Sequence, residues 1–185
     1  NCLKKLGVKI KKKQKYYFVH GLGLGNFREK KNIVLNAGNS GTLARLLFGM
    51  LSNYSYKIKI VGDQSLSKRD FKRVIDPMIK FGVKFYPKNK FTLPISLKGS
   101  KSLKPINYFE KKGSAQVKSS IMLAALNTDG TTKIKAKKSR NHTENLFKYL
   151  KIPISIKENK SIDYIKMKKP KNLRSFEYKV PSDIS

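Results

Sequence analysis

Apolar side chains at Phe71, Val74, Ile75, Met78 and Ile79 recur at intervals of three and four, the spacing that gathers them on one face of an α-helix. The stripe predicts an amphipathic helix ending near Phe81-Gly82, in which Pro77 costs a backbone hydrogen bond and favours a kink. Leu146, Phe147 and Leu150 predict a shorter helix behind Thr143, with Glu144 favourable in its first turn. Two other segments, residues 43–51 and 117–126, are apolar on nearly every face, the pattern of helices buried all round. A short strand is predicted after each, Tyr56 to Val61 and Thr132 to Ala136.

The chain also repeats itself. Leu6-Gly7-Val8-Lys9-Ile10 returns 75 positions later as Phe81-Gly82-Val83-Lys84-Phe85, and Lys13-Gln14-Lys15 falls on Lys88-Asn89-Lys90 at the same offset. In both copies a short strand leads through a polar turn into a second one, Tyr16 to Val19 and Phe91 to Leu97. A looser third copy runs from Leu150 through Ile152, Ile154 and Ile156, turns at Glu158-Asn159-Lys160 and returns from Ile162 to Met167. These read as three β-hairpins. Lys-Ile-Lys at 57–59 matches 133–135 at offset 76. The unit is therefore buried helix, strand, amphipathic helix, strand, hairpin strand. It occurs twice nearly complete, and its tail opens the chain, an α/β arrangement built by repetition.

Composition narrows the class. At 185 residues with 39% hydrophobic and 10% aromatic side chains, the chain supports a folded core despite a net charge of +31. The single Cys2 excludes an internal disulfide, and with only His20 and His142 no Cys/His zinc site can be assembled. No apolar run approaches the ~20 residues of a membrane helix, so a soluble, cytoplasmic protein is expected. Positive charge of this size invites a nucleic-acid reading. Yet 36 of the 42 basic residues are lysines scattered along the chain, and compositional drift accounts for them better than a polynucleotide face. The six arginines say more, because a guanidinium grips carboxylate or phosphate with two parallel bonds. Arg45, Arg69 and Arg140 sit in or beside turns rich in small polar residues, whereas Arg28, Arg73 and Arg174 read as surface residues.

Both buried helices open on such turns, Gly38-Asn39-Ser40-Gly41-Thr42 and Gly113-Ser114-Ala115-Gln116. One such turn needs no more explanation than an Asn or Ser cap. Two equivalent turns, each near a rare arginine, favour an anion site, since a helix N-terminus presents unpaired N–H groups and partial positive charge. Gly62-Asp63-Gln64-Ser65-Leu66-Ser67-Lys68-Arg69 and Ser139-Arg140-Asn141-His142-Thr143-Glu144 occupy equivalent places further along the two units. Histidine suits general-base work near neutral pH, but a lone one at a helix start is more often a cap or a contact. Asp63, Asp70 and Asp76 are spaced as surface acids. The sequence thus offers groups for binding anions and no catalytic acid or base.

Five motifs in this order, residues 35–45, Gly62-Asp63-Gln64-Ser65-Leu66 with Arg69, residues 114–119, residues 139–144 and residues 180–185, closely resemble the EPSP synthase (3-phosphoshikimate 1-carboxyvinyltransferase) family over essentially the whole chain. The resemblance implies an inside-out α/β barrel domain of repeated βαβαββ units, with helices inside, sheets outside and substrates bound between two such domains. Residues 1–180 then form most of one domain, with a repeat tail at 1–34, a second unit at 35–99 and a third at 113–170, and residues 181–185 cross to a missing second domain. It further implies enolpyruvyl transfer from phosphoenolpyruvate to the 5-hydroxyl of shikimate 3-phosphate, in a monomeric cytoplasmic enzyme that uses no metal, no cofactor, no nucleic acid and no membrane. Residue by residue, Ser114, Ala115, Gln116 and Ser139 fall where the family holds shikimate 3-phosphate, with Arg140 beside them. Gly41, Arg69 and Gln116 fall where it holds phosphoenolpyruvate, a site that the inhibitor glyphosate also occupies, and Asn39, Thr42 and Arg45 shape that pocket.

This sequence departs from the family's pattern in four places. Ala115 replaces a serine found in many members, Asp70 a proline, Asn141 an aspartate and Ser182 a glycine. The family's opening Lys-Ser…Arg motif, its catalytic aspartate and glutamate, and the basic groups of its second domain have no counterpart here. The resemblance therefore implies a portion of the enzyme with no catalytic residue of its own, inactive alone. Two alternatives remain from the residues: a basic nucleic-acid-binding protein without activity, and an enzyme like the UDP-N-acetylglucosamine enolpyruvyltransferases. In the latter a loop cysteine takes part in catalysis, and Cys2 is not in such a loop.

Overall fold

A computed structural model describes residues 1–180; the expected crossover at 181–185 lies outside the described residues. A short helix α1 (Cys2–Lys5) leads into a two-stranded hairpin, β1 (Lys9–Lys13) and β2 (Tyr16–His20). Leu6 to Val8 do not join β1, because Gly7 N and Val8 N donate back to Lys4 O and Leu3 O and close α1 instead.

Two four-stranded sheets follow, built alike. The first unit contains β3 (Ile33–Asn36), α2 (Gly41–Met50), β4 (Ile58–Val61), a one-turn α3 (Gln64–Ser67), α4 (Lys72–Phe81), β5 (Lys84–Tyr86) and β6 (Ile95–Lys98). Its sheet order is β3-β4-β6-β5, with β3 and β4 parallel and the other neighbours antiparallel. The second contains β7 (Asn107–Glu110), α5 (Ala115–Ala125), β8 (Thr131–Lys137), α6 (His142–Tyr149), β9 (Ile154–Glu158) and β10 (Ile162–Lys168), in the order β7-β8-β10-β9 with β7 parallel to β8. Each unit is βαβαββ. The pattern of hydrophobic residues alone misses β3 and β7, four residues each, because their apolar positions are too few to separate from the helices that follow.

In the two four-stranded sheets burial alternates along the central strands, so each sheet turns one apolar face to the helices. Ile33 and Leu35, Ile58 and Ile60, Ile134 and Ala136, and Ile165 and Met167 point inward, while their neighbours Val34, Lys59, Lys135 and Lys166 point outward. The sheets stay separate, and none closes into a barrel among the described residues. Phe48 of α2 packs edge-on against Phe71 and Phe85, ring centroids 5.8 and 5.5 Å apart, joining α2 to the start of α4 and to β5. Helix α4 runs unbroken through Pro77 to Gly82. The predicted strand from Phe91 is shorter than expected. Phe91 gives its carbonyl to Phe71 N, Pro94 has no N–H to donate, and the ladder starts at Ile95. Leu150 likewise ends α6 rather than opening the third hairpin. None of the helices among the described residues is long and apolar enough to cross a membrane.

Candidate functional site

All four small polar turns lie where a parallel strand hands over to a helix: 37–40 after β3, 62–63 after β4, 111–114 after β7 and 138–141 after β8. In open α/β sheets the carboxyl ends of parallel strands are where ligands collect. At both buried helices the serine is the cap. Ser40 Oγ accepts from Leu43 N at 3.1 Å, and Ser114 Oγ accepts from Val117 N at 3.4 Å. Each cap follows a left-handed glycine, Gly38 at φ 57° and Gly113 at φ 71°, a conformation that glycine adopts without a Cβ penalty.

The two helices run side by side in the same direction. Gly49 of α2 sits against Ser120 of α5, Ser120 Oγ donates to Arg45 O at 2.9 Å, and one turn earlier Gln116 reaches Thr42 and Arg45. Their N-termini are therefore adjacent, and the two positive dipole ends add. Across the seam Arg45 Nη1 donates to Gln116 Oε1 at 2.9 Å, while Gln116 Nε2 donates to Thr42 Oγ1 at 2.7 Å. The Arg45 guanidinium rests on the Phe71 ring, 5.1 Å from its centroid.

Arg69 enters from the other side, its Nη2 donating to Asn39 Oδ1 at 3.2 Å. Gly41 lies beneath both guanidiniums: a Cβ there would stand 2.8 Å from Arg45 Nη1 and 3.3 Å from Arg69 Nη1. Burial, then the like charges of Arg69 and Arg73, lower the Arg45 pKa from the ordinary arginine value, with Asp70 acting the other way. Positive charge concentrated in this way, with apolar and glycine surface beneath it, has the chemistry that suits an anion.

Asp63 and Asp70 serve the backbone. Asp63 Oδ1 caps α3 by accepting from Leu66 N at 2.7 Å, and Asp70 Oδ1 accepts from Lys72 N at 2.6 Å, fixing the entry to α4 where the family has proline. Asp70 thus holds its turn.

The 139–140 turn joins the platform through α6. Ser119 and Thr143 hydroxyls are 2.7 Å apart, and Lys118 of α5 ion-pairs with Glu144 of α6. Ser139 has its hydroxyl oxygen buried, whereas Arg140 and His142 are exposed. Helix α6 starts at His142, so Thr143 faces α5 instead of capping.

The sequence reading assigns no role to Glu110 or Lys118, and it gives Arg73 and Glu144 no partner. Glu110, 3% exposed, accepts from Ser114 N at 2.8 Å and Lys112 N at 3.2 Å, and pairs with Arg73 at 3.1 Å. Arg73 is exposed, as expected of a surface residue, and is also a partner to the α5 turn through Glu110. Lys118 is fully buried, and Glu144, in the first turn of α6 as expected, is its buried partner. A lysine inside an otherwise apolar helix was the available signal.

Among the described residues there is no cluster of three or more His, Cys, Asp or Glu placed to hold a metal. A broad depression of about 770 Å³ lies at the other end of the second sheet, between Pro105, Lys133, Pro153 and Lys168, and none of the candidate site residues lines it.

Comparison with known proteins identifies the family. The family model for EPSP synthase (3-phosphoshikimate 1-carboxyvinyltransferase) matches residues 1–185. A 3-phosphoshikimate 1-carboxyvinyltransferase from a Sulfurihydrogenibium species is 41% identical over all of this chain and 43% of its own length. The protein of that name from Petrotoga mobilis is 43% identical, with the same shares of both chains. A solved EPSP synthase from Acinetobacter baumannii superposes with a TM-score of 0.81 at 32% identity, over 93% of this chain and 39% of that one. The chain spans less than half the length of the relatives it matches.

Proposed function

The chain belongs to the family of EPSP synthase (3-phosphoshikimate 1-carboxyvinyltransferase), and from that footing we propose that it is the part of such an enzyme that grips both anionic substrates. Phosphoenolpyruvate binds at the α2 end of the platform, on Gly41, Arg69 and Gln116, in a pocket shaped by Asn39, Thr42 and Arg45. Shikimate 3-phosphate binds at the α5 and α6 end, on Ser114, Ala115, Gln116 and Ser139, with Arg140 beside its phosphate. Gln116 belongs to both sets and lies between them. The enolpyruvyl group then passes to the 5-hydroxyl of shikimate 3-phosphate as the bond from its C2 to the phosphate oxygen breaks, releasing phosphate. The catalytic carboxylates and the rest of the anion clamp come from the remainder of the same enzyme, which we take to be cytoplasmic and monomeric.

The observation that supports this best is the Arg45–Gln116–Thr42 chain across two adjacent helix N-termini. Holding two polyanions within reacting distance is costly unless fixed positive charge awaits them. Calorimetric titration of the 185-residue chain with shikimate 3-phosphate tests the reading. Binding is expected, and Arg140→Ala should weaken it by about 1–3 kcal/mol, the cost of a lost charged hydrogen bond. Absence of binding by the folded chain, or equal affinity in the variant, overturns the assignment.

A further inference from the structure

We infer that Lys118, Glu144 and Asp163 form a buried electrostatic clamp that positions the two turns of the shikimate 3-phosphate subsite relative to each other, an inference that rests on the substrate assignment above. Lys118 is 0% exposed, Glu144 3% and Asp163 6%. The lysine ammonium pairs with Glu144 Oε1 and stands 3.9 Å from Asp163 Oδ2.

The three residues come from three elements, and two of those elements begin at the subsite. Lys118 N closes the first turn of α5 on Ser114 O at 3.1 Å, so its side chain is rooted in the 114–116 turn. Glu144 stands in the first turn of α6, directly behind Ser139 and Arg140. Asp163 projects inward from β10, and the neighbouring Ser161 accepts from Lys138 N at 3.0 Å through its carbonyl, tying the same strand end to the foot of the 139–140 turn. The Ser119–Thr143 contact lies beside the ion pair, one residue later on α5 and one residue earlier on α6. One lysine thus spans both subsite turns and the sheet beneath them.

The cluster adds geometry rather than stability. A buried ion pair regains little more than its desolvation cost, and apolar replacements of similar volume are often neutral or stabilising. The surroundings also leave it incompletely satisfied. Glu144 Oε2, Asp163 Oδ1 and the neighbouring Ser139 Oγ have no protein partner, and all three residues line a cavity of about 90 Å³ with room for ordered water. Ser139, a proposed ligand of the substrate, therefore shares a polar pocket with the two carboxylates of the clamp.

A triple variant, Lys118→Met/Glu144→Leu/Asp163→Val, tests the inference while avoiding the orphaned charges that single variants create. It should fold with a melting temperature at or above that of the wild type. Its dissociation constant for shikimate 3-phosphate should rise at least tenfold, and amide hydrogen exchange should accelerate at 113–116 and 139–143 but not in α2. The charge-reversed pair Lys118→Glu/Glu144→Lys should recover part of the affinity that either single reversal loses. A folded triple variant that binds within twofold of the wild type, with unchanged exchange at both turns, overturns the clamp. A wild type that fails to bind shikimate 3-phosphate overturns the substrate reading instead. The exchange comparison then decides the clamp by itself: acceleration at both turns keeps it, and no change overturns it.

Discussion

Gly49 lies so close to the backbone of Ser120 that a Cβ on it would overlap the Ser120 carbonyl oxygen. This contact sets how near α2 and α5 approach, and so how near their N-termini stand. Gly49→Ala should push the helices apart. Overpacking of a tight core costs about 1–3 kcal/mol, and here a backbone atom must move, which places the loss at the upper end of that range. Urea denaturation gives the stability change, and weaker phosphoenolpyruvate binding should accompany it because Arg45 and Gln116 no longer meet. A variant as stable as the wild type would mean that the helix spacing is set elsewhere.

Gly41→Ala tests the same platform at its surface. The added methyl meets Arg45 Nη1 and Arg69 Nη1 at 2.8 and 3.3 Å, where an anion would otherwise lie against bare backbone. In the complete enzyme the substitution should raise the inhibition constant of glyphosate more than the KM for phosphoenolpyruvate, by about 1–3 kcal/mol, the scale of one carbon in a close-fitting pocket. Steady-state inhibition assays on both forms measure that ratio, and an unchanged ratio would remove Gly41 from the pocket.

Arg73→Ala leaves Glu110 buried with its charge unpaired on that side, although two backbone N–H groups still hold it. Stability should fall by about 1–3 kcal/mol. Since the carboxylate also orients Ser114, affinity for shikimate 3-phosphate should fall with it. Glu110→Gln, which keeps an acceptor for Ser114 N and removes the charge, should cost less than Arg73→Ala. The reverse order in thermal melts would count against a role for the ion pair.

Much of the fold was legible in the sequence, because amphipathic α4 and the hairpins have strong periodicity and the 75-residue offset exposes the repeat. The turns proposed to receive anions were legible too, as glycine and small caps ahead of apolar helices. Glu110 and Lys118 were not, because their roles depend on partners 37 and 26 positions away, Arg73 and Glu144, which only packing brings near. Helix α1 was hidden for another reason: four residues with one buried side chain give no period to read.

Tyr54 provides a pH signature. Its hydroxyl accepts from Lys30 N at 2.6 Å and reaches Arg28 O and Lys30 O at 3.1 and 3.2 Å, pinning the segment that leads from the first hairpin to β3. Burial first, and then the nearby Glu29 and Tyr56 charges, raise its pKa above the ordinary tyrosine value, against the lowering effect of the Lys30 hydrogen bond. A raised acid favours the folded state only while neutral, so its contribution is complete below pH ~10, where the unfolded phenol titrates, and is lost as pH rises through the folded pKa. Urea melts from pH 8 to 11 should show a steeper alkaline loss for the wild type than for Tyr54→Phe, which should itself be about 1–3 kcal/mol less stable at neutral pH. Parallel alkaline limbs would assign the loss to other groups.

Two helix dipoles aimed at one spot, with Arg45 and Arg69 over it, repel one another until an anion arrives. Burial first, and then that repulsion, depress the Arg45 pKa. Under the proposed function, folding and metabolite supply are linked, since a ligand that binds only the native form adds RT ln(1 + [L]/Kd) to its stability, about 2.7 kcal/mol at a hundredfold excess over Kd. Where opening is fast compared with cleavage, degradation follows the open population, so a cell rich in these anions would keep the chain longer than a starved one. Abundance would then track flux without any dedicated regulator.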